Sequence, residues 1–334
     1  MALAIAAARE AWGLTSPNPM VGAVAVKQDR VLGSACHLKA GSAHAEAALI
    51  AQAGAEAMRD ATVYVTLEPC CTTGRTPPCT AALIGAGVKK VVVGTVDPNP
   101  SHGGRGIDIL RDAGIEVIAG VLAEECRELN RAFFKWITTG KPFVLLKMAM
   151  TLDGKIATPD GVSKWITGEA ARSRVQELRR WADAIMVTAK TARLDNPRLN
   201  VREPANWRKR LKKIIAADTT PLEDIRAWFP DDPDIRKFCC SGRGDWEELL
   251  NELGSEEITA LLIEGGGELA GNALASGVVD AIEFHIAPKL LLGRASRPIT
   301  GGEALPLPEA IRLENMKTEF IGADIVVRAD IAKG

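Results

Sequence analysis

The residues best suited to chemistry stand in three short pieces of the first eighty positions: His44-Ala45-Glu46, Pro69-Cys70 and Pro78-Cys79. One imidazole and two thiolates supply three protein ligands for a tetrahedral zinc and leave the fourth position for water. His44 and Glu46 open a helical stretch, Cys70 follows a strand and Cys79 opens the next helix. A helix start carries partial positive charge, which favours thiolate over thiol. Glu46, two residues past His44, is poorly placed to ligate the same ion but can reach water bound to it and move protons. This set can replace an exocyclic amine on a ring carbon by oxygen and release ammonia. A buried histidine beside unrelated cysteines is the bland reading; the ordered joint pattern, each piece at a β/α junction, weighs against it.

Those pieces need a frame of alternating strands and helices, and the sequence supplies one. Val21–Val26 and Val31–Cys36 read as strands joined by a turn at Gln28-Asp29-Arg30, followed by helix His44–Ala53, strand Ala61–Leu67, helix Pro78–Gly85 and strand Lys89–Val96. A helix closing over Leu110–Gly114 and strand Glu116–Ala119 complete a three-layer α/β domain. Thr138-Thr139-Gly140-Lys141-Pro142 is turn chemistry, so the boundary is placed between residues 1–139 and 140–334. The second part alternates again: strand Phe143–Ala149, helix Glu169–Trp181, strands Ala184–Val187, Lys213–Ala217 and Ala260–Glu264, helix Glu268–Ser276 and strand Ala281–Pro288. Asn200–Lys212 and Leu222–Asp234 read as loops.

Length and composition agree. A chain of 334 residues predicts two domains, and 47% hydrophobic with 25% charged residues excludes disorder. The net charge of −1 argues against a protein held to nucleic acid or to an anionic membrane by bulk charge. No segment reaches the ~20 apolar residues of a membrane span. Ala2–Ala8 reads as the first turns of a helix rather than a leader, so a cytoplasmic protein is expected. Seven cysteines make no disulfide framework. Cys36, Cys126, Cys239 and Cys240 read as packing residues, and His37 as structural rather than a fourth ligand. In the second part, strand Ala260–Glu264 runs into Gly265-Gly266-Gly267 and a helix. That arrangement suits a phosphate, or is a tight β-α turn with no ligand.

Eight residues separate the two cysteines, and the insert carries Gly74-Arg75-Thr76-Pro77-Pro78. With Thr15-Ser16-Pro17-Asn18-Pro19-Met20-Val21-Gly22 upstream, this pattern resembles the riboflavin-biosynthesis deaminases, in which a cytidine-deaminase-like zinc domain is fused to a reductase. Lys147-Met148-Ala149-Met150-Thr151-Leu152-Asp153-Gly154-Lys155, Ser163-Lys164-Trp165-Ile166-Thr167 and Thr191 with Asp195-Asn196-Pro197-Arg198-Leu199 resemble that reductase, which is similar to dihydrofolate reductase in fold and uses NADPH. The resemblance covers nearly the whole chain. It implies a zinc deaminase with Glu46 as catalytic residue and His44, Cys70 and Cys79 as ligands. It implies nucleotide contacts at Ala149, Trp165, Thr191, Asp195, Thr219 and Gly266, Gly267, Glu268, Leu269, Ala270, Gly271 and Asn272. It implies substrate contacts at Asn18, Arg75, Ser163, Arg179, Leu199, Arg202 and Glu264, with Arg179 and Arg202 clamping a phosphate.

Bland readings stand beside several of these: turn chemistry for Asn18, solvated charge for Arg75, Arg179 and Arg202, core packing for Trp165. The chain departs from the family at Cys71-Thr72-Thr73, where a serine and one or two histidines are usual, and at Lys190 and Asn196, where glycine and aspartate are usual. It also starts late relative to the family, with Met1 inside the first helix. The implied substrate is a phosphoribosylamino-pyrimidine, deaminated with a zinc-activated water and then reduced by NADPH from ribosyl to ribityl, in a homo-oligomer. The rival readings are a nucleoside or nucleic-acid deaminase with an accessory domain, and a reductase-like module that only binds. A single Tyr fits poorly with gripping a nucleic-acid strand by stacking.

Overall fold

The computed structural model describes residues 1–72, 77–100, 102–207, 209–232, 234–240 and 242–332. They form two compact units, Met1–Gly140 and Lys141–Gly334.

In the first unit the elements run α1 (Ala2–Arg9), β1 (Gly22–Lys27), β2 (Arg30–Cys36), α2 (Ala45–Ala53), α3 (Ala55–Met58), β3 (Thr62–Leu67), α4 (Cys79–Gly85), β4 (Lys90–Thr95), α5 (Arg105–Asp112), β5 (Glu116–Ala119), α6 (Ala123–Leu129) and α7 (Arg131–Thr139). The sheet order is β2-β1-β3-β4-β5, with β1 antiparallel to both neighbours and β3, β4 and β5 parallel. Gln28 and Asp29 turn the β1–β2 hairpin with φ of 51° and 59°, the left-handed pair that a tight hairpin requires. One core lies between the sheet and α2, α4 and α5, built on Ala23, Leu49, Val63, Val65, Leu83, Val91 and Leu110. On the other face α1 and α6 close the third layer. There Gly22 lets α1 sit so close that a Cβ would fall 2.0 Å from the Ala4 carbonyl oxygen.

The second unit contains β6 (Phe143–Thr151), β7 (Lys155–Ala157), α8 (Glu169–Trp181), β8 (Ala184–Thr188), α9 (Ala189–Asp195), β9 (Lys212–Ala216), α10 (Leu222–Trp228), β10 (Arg236–Phe238), α11 (Arg243–Ser255), β11 (Ala260–Ile263), α12 (Gly267–Ala275), β12 (Ala281–Ala287), β13 (Arg297–Pro298), β14 (Leu313–Ile321) and β15 (Asp324–Ile331). Eight strands form one sheet, β10-β9-β8-β11-β6-β12-β15-β14, parallel as far as β12 and antiparallel beyond it. Its apolar face packs Val144, Leu146, Met186 and Ile263 against α11 and α12. On the other side of the pleat stand Lys147 and Glu283, directly opposed across β6 and β12, and His285, all buried.

Several expectations need correction. Leu222–Asp234 is not all loop: Leu222–Trp228 is α10, a short helix with one buried anchor, Ile225, too little to show periodicity. Cys239 is exposed rather than a packing residue. Helices α6, α7, α9 and α11 and strands β14 and β15 were not expected. The hairpin β14–β15 hid because β14 is exposed along nearly its whole length and carries charges where a half-buried strand would alternate.

Candidate active sites

In the first unit, β3 delivers the Pro69-Cys70 segment, and α2 and α4 begin beside it. His44 is the N-cap of α2, with Glu46 in its first turn, and Cys79 is the first residue of α4. The His44 Nδ1 atom lies 3.3 Å from Cys79 Sγ and 3.5 Å from Cys70 Sγ, and the three ligand atoms lie within 4.8 Å of one another. Zinc bonds of ~2.0–2.3 Å in tetrahedral geometry put ligand atoms roughly 3.3–3.8 Å apart, so this donor set fits a zinc ion. The insert between the cysteines returns as required: the Cys79 N–H donates to Cys70 Sγ at 3.3 Å, and the Thr80 hydroxyl donates to the Cys70 carbonyl. Arg75, within that insert, lies outside the described residues.

The electrostatics suit the same chemistry. The Cys79 thiol donates to Cys70 and, with the Cys79 N–H and His44, holds the Cys70 thiol down to about 4 against its burial. As the donor of that pair, Cys79 is pushed up. Glu46 is buried, and burial raises its carboxyl above the ordinary range. A carboxyl in that state can give a proton as well as take one.

Asn18 joins this site through a residue whose part the sequence did not disclose. His37 bonds the Ala43 carbonyl through Nδ1 at 3.1 Å, which leaves Nε2 to accept from Asn18 Nδ2, also at 3.1 Å. The His37 ring stands edge-on to His44, centroids 5.4 Å apart. Glu68 was also missed. Its carboxylate receives four backbone N–H groups, from Asp97, Gly104, Gly106 and Ile107, and so ties the start of α5 to the segment bearing Cys70.

In the second unit several of the expected residues follow the C-terminal ends of strands: Thr191 and Asp195 in α9 after β8, Thr219 after β9 and Glu264 after β11. Arg179, late in α8, makes a two-pronged bond to Glu264: Nε and Nη2 each donate to a carboxylate oxygen at 2.7 Å, while Nη1 donates to the Asn200 carbonyl. Leu199 is buried beside that carbonyl, and the exposed Arg202 is anchored to α8 by its backbone N–H, which donates to Gln176. The Ser163 hydroxyl donates to Asp195, and Thr191 meets Thr188 at the start of α9. Asn196 ends α9 in the left-handed conformation, φ 41°, which asparagine tolerates. Trp165 is exposed under Arg172, Ala149 is half-buried on β6, and Thr219 is exposed beyond β9.

The glycine run does more for the chain itself than the sequence disclosed. A Cβ at Gly266 would meet Thr188 Cγ2 at 2.4 Å, and one at Gly271 would meet the Gly301 carbonyl oxygen at 2.0 Å. Leu269 and Ala270 are in the core, the Glu268 carboxylate turns to Gly301, and the Asn272 oxygen accepts from Trp246 Nε1 and Cys240. The backbone leading into the nine-residue α12 lies beside Thr191 at Gly265 and beside Thr188 at Gly266, and Gly267 opens the helix. Such a helix start fits a dinucleotide phosphate. Lys147, unassigned by sequence, is buried on β6 near Glu264, Arg179 and Glu283, and burial lowers its ammonium. A lysine amid Phe143-Val144-Leu145-Leu146 and Met148 was the signal.

Comparison with known proteins covers both units. Residues 1–95 match the model of the cytidine and deoxycytidylate deaminase zinc-binding region, and residues 142–327 match the RibD C-terminal domain. The chain is 43% identical to the riboflavin biosynthesis protein RibD of Actinobacillus pleuropneumoniae, over 98% of this chain and 93% of that one. It is 36% identical to RibD of Escherichia coli, over 97% and 96%. Among solved structures it superposes on Acinetobacter baumannii RibD with a TM-score of 0.86 at 36% identity, covering 99% and 97% of the two chains. On a Thermotoga maritima diaminohydroxyphosphoribosylaminopyrimidine deaminase/5-amino-6-(5-phosphoribosylamino)uracil reductase the score is 0.87 at 33% identity, covering 98% and 97%.

Proposed function

The chain belongs to the RibD family, a bifunctional zinc deaminase and NADPH-dependent reductase of riboflavin biosynthesis, and from that premise we propose how its residues divide the work. The near-full-length likeness, reductase half included, displaces the reading of a nucleoside or nucleic-acid deaminase with an accessory domain. Residues 1–139 take 2,5-diamino-6-(5-phosphoribosylamino)pyrimidin-4-one and replace its 2-amino group with oxygen. Residues 140–334 reduce the ribosyl group of that product to ribityl. When bound, zinc supplies the Lewis acidity that makes water nucleophilic near neutral pH, and NADPH supplies the reducing equivalents.

His44, Cys70 and Cys79 hold the metal. Glu46 accepts a proton from the attacking water and returns it to the departing amine. Asn18, fixed by His37, orients the pyrimidine ring. In the second unit the Gly266–Gly267 backbone at the start of α12, with Thr191, Asp195 and Trp165, holds the nucleotide. Arg202 holds the substrate phosphate. Three of the five Arg179 donors are engaged by Glu264 and Asn200, which leaves two for the same phosphate. Lys147 adds a cation beside the Arg179–Glu264 pair. The task of these residues is to hold the ribosyl carbon against the nicotinamide while side chains stay chemically unchanged.

One observation carries this reading: an imidazole and two thiols within zinc reach, with a buried carboxyl in the same helix turn. No described helix is long and apolar enough to cross a membrane. The near-neutral charge supports a small-molecule substrate, with no part for nucleic acid or membrane. Seven cysteines with no disulfide framework, two of them assigned to the metal, support a reducing cytoplasm, and the chain works as a homo-oligomer. The test is a Cys79→Ala protein, which should lose deamination and still reduce the deaminated intermediate with NADPH. A folded variant dead in both reactions would show that the two activities share a site.

A further inference from the structure

Lys147 stands in a row of charges that runs across four strands. It lies directly opposite Glu283 on β12, and Arg328 on β15 lies opposite Glu283 on the far side. On the near side β11 keeps step with β6 up to Ile263 opposite Leu146, so Glu264, next in the chain, comes up beside Lys147. The order across the sheet is Glu264, Lys147, Glu283, Arg328, alternating in sign. Helix α8 reaches the row twice: Arg179 holds Glu264, and Arg174 donates to Glu283 from Nε and Nη2, each at 3.3 Å.

Glu283 has further partners. Its carboxylate lies 2.8 Å from Arg328 Nε and 2.9 Å from His285 Nε2. His285 is a neutral donor there, since burial lowers its imidazolium below the ordinary range. Every carboxylate oxygen of Glu264 and Glu283 is therefore engaged by a group other than Lys147. The two carboxylates flank Lys147 as fixed negative charges, and its three N–H donors stay available to a ligand. Burial works against the ammonium, and so do the guanidiniums of Arg174, Arg179 and Arg328. Glu264 and Glu283 oppose them; Glu177 and Glu319 sit at the outer ends of Arg174 and Arg328 and are half-exposed. Without Glu283, three guanidiniums and one carboxylate would surround the lysine. Glu283 is itself 2% exposed, so it acts on a ligand only through Lys147.

We propose that Glu283 is a positioning residue of the reductase site: its carboxylate, pinned from α8, β12 and β15, keeps the Lys147 ammonium charged and in place for the substrate without touching the substrate itself. This rests on the assignment of Lys147 to the reductase site above.

The test is the pH profile of reductase kcat/KM over about pH 6–10, measured with the deaminated intermediate and NADPH. The proteins are wild type, Glu283→Gln, Glu283→Asp, Arg328→Gln and Lys147→Met. Wild-type kcat/KM should fall on the basic side as Lys147 loses its proton. Glu283→Gln removes a neighbouring negative charge, so that fall should move to lower pH by about one pH unit or more, with the KM for NADPH within about twofold of wild type. Glu283→Asp should restore most of the shift. Arg328→Gln removes a positive charge and should move the fall the other way, to higher pH; it decides the matter alone if Glu283→Gln does not fold. A carboxylate with a merely structural part would lower activity equally at every pH. A basic limb that stays in place in both charge variants, or moves the same way in both, would overturn the proposal while Lys147→Met is inactive. Lys147→Met with wild-type activity and profile would overturn the assignment of Lys147, and this inference with it.

Discussion

Replacing Glu68 by glutamine changes one atom and disturbs four hydrogen bonds. Oε2 accepts from the backbone of Asp97 at 3.1 Å and Gly104 at 2.9 Å, and Oε1 from Gly106 at 2.8 Å and Ile107 at 3.3 Å. Glutamine keeps one oxygen and turns an NH2 toward the other pair, so two buried N–H donors face a donor. A buried donor left unsatisfied costs about 1–3 kcal/mol, which puts the loss at roughly 2–6 kcal/mol. The damage should be local to α5 and the Cys70 segment, because a Cβ on Gly106 would fall 2.2 Å from the Pro69 carbonyl oxygen. Two units in one chain make a single unfolding free energy ill-defined. The measurement is therefore amide hydrogen exchange at Asp97, Gly104, Gly106 and Ile107. Protection there should fall about 30-fold or more, the factor for ~2 kcal/mol. The exposed Glu56→Gln serves as control and should change nothing. Protection in Glu68→Gln within about twofold of wild type would refute the reasoning.

Cys70→Ser should lose zinc and deamination together by metal analysis; full occupancy would shift the ligand to the neighbouring Cys71. Glu46→Gln should keep zinc while deaminase turnover falls ~10²-fold or more, and near-normal turnover would remove Glu46 from the mechanism. Arg202→Lys should raise the substrate KM of the reductase about 10-fold and leave NADPH affinity alone; the reverse pattern would assign Arg202 to the nucleotide. Burial pushes the Glu283 carboxyl up, but His285, Arg174 and Arg328 together hold it at about 2. Its folded pKa is therefore below the unfolded value of ~4.3. Glu283 stabilises the second unit fully above that value, and the contribution is lost as pH falls toward 2. Melting temperatures of wild type should drop through this window, while Glu283→Gln should be flatter across it.

The zinc set was legible because its geometry follows from chain order: a histidine and a cysteine at helix starts and a cysteine after a strand come together in any parallel β-α-β arrangement. The long helix α8 was legible to the residue. Helix α11 was legible in principle, since Trp246, Leu249, Leu250 and Leu253 follow the i, i+3, i+4, i+7 rule. The dispositions of His37, Glu68 and Arg179 were not. Each depends on which distant backbone or carboxylate the fold brings near: Ala43 and Asn18 for His37, the start of α5 for Glu68, Glu264 for Arg179. The glycine run could be read as a phosphate site or as a tight β-α turn, and its steric role was hidden because the tight neighbours of Gly266 and Gly271, Thr188 and Gly301, lie tens of residues away in the chain.

The central claim is two successive reactions on one pyrimidine by one chain, and the mass of the product tests it most directly. Given the diamino-pyrimidine ribosyl phosphate without NADPH, the zinc-loaded protein should yield only the compound in which oxygen replaces the amine. With NADPH, that compound should gain two hydrogens. Recovery of unchanged substrate in both arms, or a product that gains hydrogens without losing its amine, would contradict the account.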